Sequence, residues 1–324
     1  MRRTHFAILA SAAAFPIAEI HADTFGTGGN TFTIEFVAIG NPGNVNDRGL
    51  DNANNTPSNP NDDDYASPFG GVGYTYGMDV TEVPQDWITK AINSGLMNVV
   101  AGAWTGTKPA ANMTWYEAAA FVNWLNTSTG HQPAYNLAFN ATWSMTLWSS
   151  ADAWQLDGQN LFRHKDAYYF LPSEDEWYKA AYHKNESDGY WDYPTGSNVI
   201  PTEITSGTGQ GTALYNNTAA TPAEVDANGG LSPYGTRGQG GNVFEWVESE
   251  WDGINDNIND TNRPIRGGAW YFGEDGMRSS VRLSYGQTAT GNDLGFRVAS
   301  VIPEPSSALL LAASGCTLLL RRRR

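Results

Sequence analysis

Side chains able to do chemistry are few and scattered along this sequence. The one cysteine, Cys316, lies near the C-terminus. An intramolecular disulfide, a Cys-based zinc site and a CxxC redox pair are therefore excluded. In the body of the chain the histidines are His131, His164 and His183; with neither i,i+4 nor His-x-His spacing they offer no metal triad. Two well-placed carboxylates, Glu117 and Glu176, close the capping boxes Thr114-Trp-Tyr-Glu117 and Ser173-Glu-Asp-Glu176. Capping accounts for both without any catalytic role. The acidic run Asp62-Asp63-Asp64 and residues 252–260 read as solvated loops. An EF-hand register begun at Asn255 puts Asp260 where glycine is required and Arg266 where the bidentate glutamate belongs. There is no Gly-rich phosphate loop and no Gly-x-Ser-x-Gly elbow.

The elements that must hold these groups are short. Phe32 to Ile39 alternates and is rich in β-formers, which predicts an edge or opening strand. Residues 41–64 are nearly all Asn, Asp, Gly, Pro and Ser, a composition that cannot bury enough apolar surface for regular structure. Three helices are signalled: one from an N1 Pro84 to a C′ Gly95, and two opened by the capping boxes, over residues 118–126 and 177–183. Beyond Asn185 the chain is Gly, Asn, Thr and Pro interleaved with aromatics, with no long periodic element and no repeat. These features predict an α+β single domain with few helices, short strands and much irregular coil. The 12 tryptophans are expected in its core rather than as sugar platforms.

Charge and termini bound the setting. Across 324 residues, 19 Lys+Arg against 34 Asp+Glu leave a formal charge of −15, the wrong sign for a protein that neutralises nucleic-acid phosphates. At the N-terminus Arg2 and Arg3 precede a small apolar stretch and a cleavage edge at Ala22, which predicts a secretory signal peptide over residues 1–22. At the other end Pro303-Glu304-Pro305 precedes an apolar run, residues 306–320, and then four arginines. Fifteen residues at about 1.5 Å rise reach roughly 22 Å, a marginal transmembrane segment that the arginines would anchor on the cytoplasmic side. This tail, residues 303–324, resembles the PEP-CTERM sorting signal. That resemblance implies a bacterial, exported protein, anchored through its C-terminal segment and then processed into the cell envelope or extracellular matrix by exosortase-type machinery. Without both ends, residues 23–302 carry −19 and no cysteine.

Several blocks of this body, read together, resemble one family. They are Tyr76-Gly-Met-Asp-Val-Thr-Glu-Val83, Met113-Thr-Trp-Tyr-Glu-Ala-Ala-Ala-Phe-Val-Asn-Trp-Leu125, Leu171-Pro-Ser-Glu-Asp-Glu-Trp-Tyr-Lys-Ala-Ala181, Gly241-Asn-Val-Phe-Glu-Trp246, Ile265-Arg-Gly-Gly-Ala-Trp270 and Leu294-Gly-Phe-Arg-Val298. In this order they resemble the formylglycine-generating enzyme, or sulfatase-modifying factor, family. The resemblance implies a C-type-lectin-like α+β fold. Active members oxidise a sulfatase cysteine with two copper-binding cysteines, since soft Cu(I) prefers sulfur. Those positions correspond here to Phe272 and Met277, and the family serine to Ala269. The three-histidine iron site of related sulfoxide-forming domains has no counterpart.

The resemblance also implies calcium held by the carbonyls of Gly241 and Val243 and the carboxylate of Glu245. Gly238 stands where a further oxygen-bearing side chain is usual, and Asn216 or Asn217 are the only candidates for a second site. The expectation is thus a non-catalytic binding or matrix component, with a candidate glycan or peptide cleft at Trp270, Tyr271, Phe272 and Arg278. A formylglycine-type oxidase with an altered metal site and a purely structural spacer are the alternatives.

Overall fold

The alternating stretch Phe32–Ile39 is a strand, and its inward residues Phe32, Ile34 and Phe36 are buried. The computed structural model describes residues 20–47, 69–185, 189–256 and 261–302. The tail 303–324 with Cys316, the run Asp62-Asp63-Asp64, and all but the last three residues of the expected signal peptide lie outside the described residues.

In chain order the elements are β1 (Ile20–Phe25), β2 (Phe32–Ile39), β3 (Tyr76–Asp79), α1 (Gln85–Asn93) and α2 (Trp115–Ser128). Two hairpins follow, β4 (Asn136–Asn140) with β5 (Thr142–Thr146) and β6 (Ala153–Trp154) with β7 (Asn160–His164), and then β8 (Tyr169–Phe170) and α3 (Glu174–Tyr182). The last third holds a small pair, β9 (Thr202–Glu203) and β10 (Thr212–Ala213), and then β11 (Phe244–Trp246), β12 (Asn262–Arg266), β13 (Leu283–Gly286), β14 (Leu294–Phe296) and β15 (Ala299–Val301). One sheet runs β1-β2-β3-β15-β8, antiparallel throughout; the other runs β13-β12-β11-β14, with β11 and β14 parallel. This is the expected α+β arrangement, with three α-helices among the described residues.

Three local expectations shift. β2 is not an edge strand, because β1 covers its outer side. Ile20, His21 and Ala22 pair with Val37, Phe36 and Glu35, so β1 begins three residues inside the expected signal peptide. Pro84 stands at the N-cap of α1 rather than at N1, while Gly95, at φ 109, takes the left-handed position past the C-cap Ser94. Both capping boxes form with both reciprocal bonds. Among the described residues no helix is long and apolar enough to cross a membrane.

The core lies between α2 and the two sheets. Trp115, Ala118, Phe121, Val122 and Leu125 are fully buried there with Phe296 and Val298. Trp115, Trp177 and Trp246 are wholly enclosed, and each indole N–H finds an acceptor: the Val247 carbonyl, Glu245 and the Met113 carbonyl. Buried tryptophan needs such a partner to avoid the cost of an unmade bond.

Candidate functional site

The Gly267-Gly268-Ala269 turn leaves β12 and folds back on the 3-10 turn Glu274–Met277. Gly268, at φ 80, must be glycine, since a Cβ there would lie 3.0 Å from the Gly276 carbonyl carbon. The fold-back brings together Ala269, Phe272 and Met277, the three positions corresponding to the family's serine and two cysteines. Ala269 and Met277 are both fully buried. Met277 packs with Tyr193, Ala213 and Tyr215, and its carbonyl accepts from the Tyr182 hydroxyl at 3.0 Å. Phe272 sets its edge against Phe244 at 4.8 Å. Carbon and a thioether fill this ground, so the residues do not fit a Cu(I) centre.

The rest of the candidate cleft divides. Trp270, Tyr271 and Phe272 form one strip, with successive ring centroids 4.8 and 5.0 Å apart. Tyr271 is 41% exposed and donates its hydroxyl to Asp293 at 2.6 Å. Arg278 lies beyond the 3-10 turn, its Nε donating to the Tyr193 hydroxyl at 3.1 Å and facing Asp275 at 3.2 Å. Asn216 and Asn217 support the strip through their backbones: both adopt φ 57, and their N–H groups bond the carbonyls of Phe272 and Trp270.

Glu245 sits in a different environment from the one implied by the family pattern. It is fully buried, and both its oxygens are occupied: Arg297 donates through Nε to Oε2 and through Nη2 to Oε1, each at 2.6 Å, and Trp177 Nε1 donates to Oε2 at 2.6 Å. Against the burial that would lower it, Glu245 holds the Arg297 guanidinium above its ordinary value. Beside this pair, Glu82 Oε2 accepts from the amides of Asn228 and Asn242 at 2.7 and 2.8 Å. A Cβ on Gly238 would come within 2.9 Å of the Glu82 carboxyl carbon, so that carboxylate occupies the space a side chain at 238 would need. Glu82 Oε1 and Asp79 Oδ2 are buried with no hydrogen-bond partner among the described residues, and burial pushes both carboxyls well above the usual range. Gly241, Val243 and Glu245 therefore do not fit a calcium ion: the guanidinium already holds the charge a cation would neutralise.

Sequence reasoning missed Glu82 and Arg297 as the partners of this cluster. A signal was present, since each is a charged residue set among apolar ones in the blocks around Val83 and Val298. The histidines are dispersed, with His131 stacked on Tyr168, His164 beside Trp148 and His183 bonded to the Tyr234 hydroxyl.

Residues 79–302 match the sulfatase-modifying factor enzyme 1-like domain. The fold is similar to Treponema denticola variable protein 1, with a TM-score of 0.54 at 19% identity, covering 87% of this chain and 99% of that one. It is also similar to PvdO from Pseudomonas aeruginosa, with a TM-score of 0.54 at 16% identity over 86% and 98% of the two chains. CarF gives 0.52 at 18% identity over 71% and 87%. At these identities the likeness is one of fold. No curated protein matches the chain significantly.

Proposed function

The chain belongs to the sulfatase-modifying factor enzyme 1-like domain family, and from that membership we propose a non-catalytic member, exported and sorted to the cell envelope, that acts as a binding or matrix component. One observation carries this reading: the positions matched to the family's two cysteines and serine hold Phe272, Met277 and Ala269, and the last two are buried in packed side chains. Export and sorting by exosortase-type machinery are supported by the sequence of residues 1–22 and 303–324, with membrane contact through residues 306–320 before processing.

The ligand, a glycan or peptide, is held on the Trp270, Tyr271 and Phe272 strip, with Arg278, across the 3-10 turn, as a further candidate contact. A glycan and peptide binding screen on the purified protein tests this. The expected result is a saturable ligand lost in Tyr271→Ala at unchanged thermal stability. No saturable ligand, together with unchanged envelope properties on deletion, would defeat it. A rigid spacer is the second reading, favoured by the complete burial of Ala269 and Met277; it is the reading left standing if the screen finds nothing. Formylglycine-type oxidation without thiolates is tested by copper loading. Neither retained copper nor oxygen consumption against a Cys-containing sulfatase peptide is expected.

A further inference from the structure

A cavity of about 160 Å3 opens between the β6–β7 hairpin, the first turn of α3 and residues 249–255. It is independent of the aromatic strip. Asp175, in the first turn of α3, faces the cavity, whereas Tyr182, seven residues on, touches Met277. That is a separation of roughly 10 Å along the helix. The principal lining groups are Tyr74, Trp154, Asp157, Asn160, Arg163 and Asp175.

Three features of this lining point to the same kind of occupant. Trp154 is 5% exposed, yet its indole Nε1 has no acceptor among the described residues. A buried N–H left unmade is costly, so the group calls for an acceptor brought by a ligand. Asp157 and Asp175 each spend one oxygen on a backbone N–H, of Gly73 at 2.7 Å and Gly70 at 2.8 Å. Neither makes an ion pair among the described residues; they lie close enough to feel each other's charge, and Lys179, whose ammonium donates to the Asn41 carbonyl at 2.9 Å, is the one further cation that feels Asp157 among those residues. Arg163 does not neutralise them, because its guanidinium is spent on Glu176 and Glu248 at 2.8 and 2.7 Å, one cation between two carboxylates. The cavity therefore has a surplus of negative charge, a free donor on an aromatic edge, and a volume below the roughly 300–1,000 Å3 of drug-sized sites.

We infer that this cavity binds a small protonated amine bearing hydroxyls, of the amino-sugar class, with its ammonium facing Asp157 and Asp175 and a hydroxyl accepting from Trp154 Nε1. A neutral sugar leaves the carboxylates unmatched. A simple alkylamine leaves the indole unmatched.

Calorimetric titration of the whole protein with glucosamine, glucose and N-acetylglucosamine tests this. Glucosamine is expected to bind saturably and at least ten-fold tighter than either neutral sugar. The Asp157→Asn/Asp175→Asn double variant should lose that preference, and Trp154→Phe should weaken glucosamine several-fold, while Tyr271→Ala leaves it unchanged. Thermal melts of each variant verify folding, and the comparison of sugars on the unaltered protein needs no variant at all. Equal affinity for the charged and neutral sugars, no binding of glucosamine, or a preference that survives loss of both carboxylates overturns the inference. Glucosamine binding that Tyr271→Ala abolishes belongs to the Trp270 strip rather than to this cavity and overturns the inference as well.

Discussion

Met277 shows how a position matched to a catalytic thiolate becomes part of a core. Its side chain is fully enclosed by Tyr193, Ala213 and Tyr215. Met277→Ala should cost about 2–5 kcal/mol of stability in urea denaturation, the range for truncating a packed core residue. A position kept open for a ligand would tolerate the change far better. Arg297 is the opposite kind of residue, a buried charge whose removal strands another. Arg297→Gln leaves Glu245 enclosed without its cation and should cost about 3–5 kcal/mol. A chelator should leave the melting temperature of the unaltered protein unchanged, because the Arg297 guanidinium already neutralises Glu245. A drop of several degrees on chelation would show that a metal shares this load. Neither pairing was legible beforehand. Glu82, Glu245 and Arg297 are far apart in the chain, and no local pattern says which buried charge meets which.

Helices were far more legible than sheets, because a helix announces its own ends. Thr114 and Ser173 each accept from the backbone N–H three residues on, at 3.1 and 3.2 Å, and the matching glutamates reach back. Ser173→Ala should lower stability by about 0.5–2 kcal/mol in a thermal or urea melt, the usual cost of losing such a cap. Glu176 does more than cap, since it also takes Arg163 at 2.8 Å, and that second role had no sequence signal. Strands of two to five residues were mostly unreadable. β3 pairs with β15, setting Tyr76 against Val301, a partnership that only the finished fold defines. The one strand that was read, β2, has eight residues and a clear alternation.

Across the whole molecule, protons and charge set a stability profile. Burial pushes the Asp175 carboxyl up to about 6, against 3.8 for the free group. Between these values the folded chain holds a proton that the unfolded chain has released, so this group's contribution to stability falls as pH rises from about 4 to about 6. Glu176 acts in the reverse sense: Arg163 overcomes its burial and holds it below 4.5, so its contribution is lost on acidification. Asp175→Asn should flatten the upper part of the profile and leave the protein more stable than the unaltered chain at pH 7, as read by urea denaturation at a series of pH values. If the profile is unaltered, the carboxyl titrates normally. The α+β class was readable from composition and short elements. The closure of two sheets by the last twenty described residues was not, since β14 and β15 join strands that precede them by many residues. Their placement has a mechanical consequence. β15 lies between β3 and β8 with only Ile302 beyond it among the described residues, so tension drawn along a C-terminal tether would load hydrogen bonds on both flanks in shear. An edge strand would instead peel one bond at a time, whereas β15 is held inside the sheet, with a neighbour on each side.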